Sequence, residues 1–280
     1  MRVAFLRALL AFTAAGEFVL AALICLRPEV GLGLLGRPLV DVVMTRQYGF
    51  LLVSVALLDA CVSISPLRYR RFIWVVVTRS ALECALAFLD WRAGAIATSS
   101  FVAIAALESV LAGVLVAALP WNVPRREQPG SPSRRDRGLS RLLVAFGGWQ
   151  LFWGLASTVF VQVGARLLNW PLQDPYATQQ QGVALFTIGL SSLVAAGNAT
   201  KYRLFVCVPI ASQLVGIVNS INERRLGTIS WSVALLQWTI ESSLTVAFLV
   251  LLRSASGMSP SSAPAIRHRE LQGWTSAETL

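Results

Sequence analysis

The first half of this 280-residue chain can be laid on the second with a constant offset of 133 residues and no gap. Pro38-Leu39-x-Asp41 falls on Pro171-Leu172-x-Asp174, and Thr45-x-Gln47-x-Gly49 on Thr178-x-Gln180-x-Gly182. Tyr69-Arg70-x-Phe72 falls on Tyr202-Arg203-x-Phe205, Arg92-x-Gly94 on Arg225-x-Gly227, and Glu108-Ser109 on Glu241-Ser242. One offset that holds over more than a hundred residues reads as tandem duplication. Whatever the first half folds into, the second must be able to form as well.

Each half carries four long apolar segments: 5–26, 47–64, 72–89 and 95–119, then 142–162, 182–197, 204–221 and 229–252. Several reach the ~20 residues that a helix needs to cross a bilayer core. The segment 182–197 is short and is expected to extend into its flanks. Hydrophobic residues make up 55% of the chain and the mean hydropathy is +0.64. A soluble core of this size would show amphipathic stripes instead of helices apolar all round. The expected fold is therefore all-α and integral to the membrane, with eight transmembrane helices as a tandem duplication of a four-helix bundle. The first segment could pass for a signal peptide, but its counterpart at 138–159 lies deep in the chain, so it is read as the first of the eight helices. The expected organisation is a first membrane repeat at 1–121, a basic linker at 122–138, a second repeat at 139–253 and a disordered Ser/Pro-rich tail at 254–280.

Basic residues set the expected orientation. Sixteen Lys and Arg fall at the N-terminus, in loops 65–71, 120–141 and 198–203, and in the tail, against seven in the opposite loops. The positive-inside rule places both termini in the cytoplasm, and the expected membrane is the endoplasmic reticulum or another endomembrane. This asymmetry, with attraction to anionic lipid, accounts for the net charge of +10. No nucleic-acid partner is needed to explain it, and homo-oligomer formation is left open. The loops 27–46 and 160–179 both contain Leu-Leu-x-x-Pro-Leu (Leu34 to Leu39, Leu167 to Leu172), apolar enough to lie in the interface or fold over a cavity mouth.

The residue inventory excludes several chemistries. The only histidine is His268, in the tail, which argues against a haem, a zinc site or a His-based dyad in the membrane. Cys25, Cys61, Cys84 and Cys207 are scattered without a Cys-x-x-Cys and read as packing residues. There is no Asp-rich diphosphate–magnesium motif, no Gly-rich phosphate loop and no Gly-x-Ser-x-Gly elbow. Neither a metal nor an organic cofactor is expected.

What remains is a set of ionisable residues inside apolar helices: Glu17, Asp59, Arg79, Glu83, Glu108 and Glu241. A charge at the bilayer centre costs at least ~2.5–3.5 kcal/mol, so each is a functional candidate. Glu108 and Glu241 occur in both copies, whereas Glu17, Asp59, Arg79 and Glu83 become Gln150, Ser192, Ser212 and Gly216. The working site is expected mainly in the first half, or where it meets the eighth helix. Arg79 and Glu83, four apart on one helix face, can pair with each other. A packing role for Glu108 and Glu241 is the competing reading. Among the aromatic residues, Trp149, Trp153 and Trp238 lie deep in their segments, where their faces could stabilise a cation. Trp91, Trp121 and Trp170 need no more than an interfacial role.

Two resemblances follow from these residues. Each half, over 5–119 and 138–252, resembles a DoxX-like four-helix membrane domain: Arg46-x-x-Gly49 leads into the second helix, Arg68 to Arg71 form a basic turn, and Glu108 sits in the fourth helix. The second copy departs from it with Gln179 in place of Arg46. The whole chain resembles the eight-helix membrane terpene cyclases of fungal meroterpenoid pathways in size, helix count, lack of metal motifs, intramembrane carboxylates and Trp content. The second resemblance implies metal-free, acid-initiated cyclisation of a lipid-like prenylated substrate that carries an epoxide or terminal alkene. A carboxyl buried in hydrocarbon favours its neutral form, so Glu108, with Glu241 or Glu17, would supply the proton. Trp238, Trp149 and Trp153 would face the developing cation, while Arg79 and Asp59 would hold the substrate's polar part. The alternatives are a proton-coupled small-molecule transporter and a non-catalytic membrane scaffold. The expected partners are the prenylated substrate and membrane lipids.

Overall fold

The computed structural model describes residues 2–119, 134–162 and 174–256. Among these the chain is all-helical: α1 (Arg2–Leu26), α2 (Pro28–Leu34), α3 (Val42–Ile64), α4 (Arg70–Arg92), α5 (Thr98–Ala118), α6 (Arg134–Thr158), α7 (Pro175–Ala196), a 3₁₀ turn (Arg203–Val206) leading into α8 (Cys207–Arg225), and α9 (Trp231–Ser256). The apolar Leu167–Leu172 loop, residues 120–121 at the end of the expected first repeat, 122–133 of the expected linker and 257–280 of the expected tail lie outside the described residues.

The helix limits follow local chemistry. Asp41 caps α3 by accepting from the Val43 and Met44 amides at 2.8 and 3.1 Å. Asp174 caps α7 by accepting from the Ala177 amide at 3.0 Å, with Pro175 at the first helical position. These caps start both helices several residues before their apolar runs. Gly94 and Gly227 end α4 and α8 in the left-handed region, at φ +72° and +73°. Where α4 runs unbroken from Arg70, its counterpart begins as a 3₁₀ turn. Pro209 has no amide to offer the Phe205 carbonyl, and its ring crowds that position. Two limits differ from expectation. α6 starts at Arg134, inside the expected linker, and the loop after α1 contains the short helix α2.

Among the described residues, six helices are long and apolar enough to cross a membrane: α1, α3, α4, α5, the 3₁₀ turn with α8, and α9. α6 and α7 have the length, at 25 and 22 residues. Their apolar character is diluted by Gly147, Gly148 and Gln150, and by Gln179 to Gln181. They pack closely on each other. Gly147 and Gly154 of α6 face Gly189 and Gly182 of the antiparallel α7. A methyl group added at Gly147 would sit 2.9 Å from the Gly189 carbonyl oxygen, and one at Gly154 would sit 2.5 Å from the Phe186 nitrogen. A seven-residue spacing returns to the same helix face, so two glycine pairs let the backbones touch over two turns. The first half has Ala14 and Ala21 on α1, and Gly49 and Ala56 on α3, at the same offsets, with the three alanines buried.

The halves do not form two separate bundles. α3 packs on α1, and also on α7 and α8, while α4 packs on α5 and α7. Each half thus lends its central helices to the other, and one hydrophobic cluster runs through both. The repeated Tyr-Arg-x-Phe motif sits at this junction. Phe72 stacks on Phe205 with centroids 3.5 Å apart, while Tyr69 meets Phe205 edge-on at 4.8 Å and Phe72 meets Tyr202 at 5.1 Å. Cys61 and Cys207, distant in sequence, lie beside each other there with sulfurs 3.5 Å apart.

Gly154→Leu should lower the detergent-solubilised protein's melting temperature through overpacking of about 1–3 kcal/mol. Gly113→Leu, whose added carbon meets nothing within 4 Å, should leave it unchanged. Equal melting temperatures for the two variants would sink the close-approach account.

Candidate functional site

A cavity of about 410 Å³ lies among the helices of the first half. Small-molecule sites fall in the range of about 300–1,000 Å³. α1, α3, α4 and α5 supply most of its walls, and α7 closes it with Tyr176, Gln180, Val183 and Ala184. The second half therefore contributes one wall, and no described residue of α6, α8 or α9 reaches the cavity. Most of the lining is aliphatic, with Leu9, Leu20, Leu52, Val55, Leu111 and Val114 among it.

The polar lining is concentrated in two places. Near mid-height, Arg79 of α4 is 7% exposed. Its Nη2 lies 2.6 Å from Glu17 of α1 and 3.3 Å from the fully buried Asp59 of α3. The expected Arg79–Glu83 pair does not form. The guanidinium turns to carboxylates on two neighbouring helices, and Glu83 accepts a 2.9 Å hydrogen bond from Gln180 of the other half. Bridging two carboxylates compensates the desolvation of a buried cation better than one same-helix contact. At the far end, Arg37 reaches back from the loop after α2. It pairs with Asp90, donates to the Ala95 carbonyl at 3.3 Å, and lies 3.9 Å above the Tyr176 ring.

Glu108 faces the same cavity from α5, and its buried Oε2 has no hydrogen-bond partner among the described residues. The first half thus brings together Glu17, Arg79 and Glu108 on the cavity wall, with Asp59 behind Arg79. The remaining sequence candidates lie elsewhere. Glu241 packs against Gly216, in the space that the Glu83 side chain occupies in the first copy, and accepts from Gln237 at 3.0 Å. Trp149 is 60% exposed and meets Trp153 edge-on at 5.5 Å on α6. Trp238 donates to Ser220 at 2.5 Å and meets Trp231 at 6.2 Å. None of these tryptophans lines the cavity; Phe12, Tyr48 and Tyr176 are its aromatic residues.

Sequence reasoning missed Gln180, Tyr48, Tyr176, Arg37 and Asp90. A signal for Gln180 was present, because Thr-x-Gln-x-Gly occurs in both copies. Gln180 donates to Glu83 and its counterpart Gln47 to Glu223, each across to the other half. Glu223 also accepts from Asn219 at 2.8 Å. The glycine of the same motif is a contact point with the preceding long helix of its own half. Comparison with known protein families, curated proteins and solved structures finds no match, so the functional reading stands on this geometry.

Arg79→Met would strand Glu17 and Asp59, a loss of about 3–5 kcal/mol to be read from thermal denaturation in detergent. Combining it with Glu17→Gln and Asp59→Asn should recover most of that loss. A single variant as stable as the parent would show that the ion triad does not hold these helices together.

Proposed function

We propose that this chain is an eight-span membrane protein built by tandem duplication, with both termini in the cytoplasm. On this reading its first-half cavity performs metal-free, acid-initiated cyclisation of a prenylated amphiphile. The observation that carries the reading is the uncommitted Glu108 carboxyl on the wall of a mostly aliphatic cavity. Glu17 and Asp59 are engaged by Arg79, and Glu83 by Gln180. Glu108 is the lining acid left free to exchange a proton with a guest.

In the proposed reaction the Glu108 carboxylic acid gives its proton to an epoxide oxygen. The carbon–oxygen bond at the more substituted carbon breaks, and the electron pair of a nearby alkene forms a new carbon–carbon bond there. The cation passes along the chain until a proton returns to the Glu108 carboxylate, so the product is an isomer of the substrate. With a terminal alkene, the proton adds to carbon instead and the same return restores the acid. Tyr48 and Tyr176 offer the aromatic faces for the cation, and the aliphatic walls keep out the water that would quench it.

Membranes containing the protein should convert an epoxyfarnesyl phenol to a product of unchanged mass and new retention time. Glu108→Gln should cut that rate by about 100-fold or more with no change in melting temperature. A folded protein that yields no isomer from the epoxide or its unoxidised parent would count against cyclisation. A product that survives Glu108→Gln would shift the proton donor to Glu17.

A further inference from the structure

The walls of the cavity are unevenly covered. Four of its lining residues are exposed, namely Phe12, Gly16, Leu107 and Val110, and all four lie on α1 or α5. Phe12 is 78%, Leu107 68% and Val110 63% exposed. Phe12 and Gly16 are one turn apart on α1, and Leu107 and Val110 one turn apart on α5, so the opening is a slot between two helices. Both are among the apolar helices long enough to cross a membrane, and little of either is buried within the protein: 22% of the apolar stretch of α1 and 6% of that of α5. In a bilayer the slot faces hydrocarbon.

The other lining residues are buried or half-buried. At the end of the cavity nearest the helix termini, Arg37 is 7% exposed. Its pairing with Asp90, its bond to Ala95 and its stacking on Tyr176 place a fixed polar layer across that end. At the opposite end the lining is apolar, with Leu9 and Val114. A guest arriving from water would have to break the Arg37 layer, whereas one arriving from the bilayer meets only exposed apolar side chains.

We propose that the slot between α1 and α5 is a lateral portal, through which an amphiphile passes from the bilayer into the cavity. It lies with its apolar chain along α1 and α5 and its polar head towards Arg37, Tyr176 and Gln180. The proposal rests on the membrane-spanning reading above, but not on the cyclisation chemistry. Gly16 provides the means to test it. A carbon added there meets nothing within 4 Å, so a large side chain fills the slot without disturbing the packed helices. Gly113 on α5 is equally open, exposed, and absent from the cavity wall.

The experiment uses the full chain in liposomes and a farnesyl phenol carrying a diazirine in its isoprenoid chain, with the photolabelled peptides mapped by mass spectrometry. Adducts are expected within residues 9–20 and 104–114. They should be lost in Gly16→Trp and kept in Gly113→Trp. Labelling of Gly16→Trp at the parent's level would overturn the portal, as would a parent that does not label. Equal labelling of the same peptides by a membrane-impermeant sulfonated analogue would also overturn it, since the guest would then come from water. Labelling needs no turnover, so Glu108→Gln should label like the parent. A protein that labels through the slot yet forms no isomer would remove the cyclase reading alone. An active enzyme indifferent to Gly16→Trp would remove the portal alone.

Discussion

The buried guanidinium of Arg79 is the constraint around which the first half is arranged. A cation in an apolar interior must be neutralised and hydrogen-bonded where it stands. Glu17 on α1 and Asp59 on α3 do this from two sides. Three helices are thereby fixed in rotation and height relative to one another. With α4 held in this register, Glu83 points to Gln180 of the second half and Asp90 meets Arg37 at the helix end. The cavity occupies the space these contacts frame, and Glu108 enters it from α5, the helix that the ion triad does not hold.

The second half carries different chemistry at the positions that match at the 133-residue offset. Gln150, Ser192, Ser212 and Gly216 stand where Glu17, Asp59, Arg79 and Glu83 stand in the first. Neutral, smaller groups need no counter-ion. Ser192 satisfies itself on the Ile188 carbonyl of its own helix, and Gly216 leaves room for Glu241 to fold against it. The glycine pairs of α6 and α7 then bring the backbones together. One half is dense and braces the other, whose buried charges accompany an open chamber. The two are coupled because α7 belongs to both: it packs on α6 and also closes the cavity.

Several sequence readings survive contact with this geometry for identifiable reasons. The Pro-Leu-x-Asp and Arg-x-Gly matches between the halves prove to stand at helix ends, where Asp41 and Asp174 cap α3 and α7, and Gly94 and Gly227 end α4 and α8. Glu17, Asp59, Arg79 and Glu108 were singled out because ionisable groups are rare in apolar helices, and they do gather in one place. Other readings fail because they depend on rotation about a helix axis. Trp149 looked deep because it sits mid-segment, but depth along a helix does not say which way a side chain faces. Arg79 and Glu83 could pair as same-helix neighbours, yet the partners chosen lie on other helices. The seven-residue glycine spacing in α6 and α7 acquires its meaning from the packing, which brings the two backbones together at these positions.

The sequence by itself pointed to an all-helical membrane chain, and six of the described helices are long and apolar enough to span a bilayer. These properties depend on composition and on bonds spanning a few residues. Only the tertiary structure decided that the halves interlock, that Gln180 reaches Glu83, and that Trp149, Trp153 and Trp238 stand outside the cavity. It also decided that Glu108 lines the cavity with a buried oxygen that has no hydrogen-bond partner among the described residues. Those outcomes depend on which faces of distant helices meet, and many rotations of a set of apolar helices satisfy the same hydropathy. Side-chain fit and the pairing of one buried cation select among them.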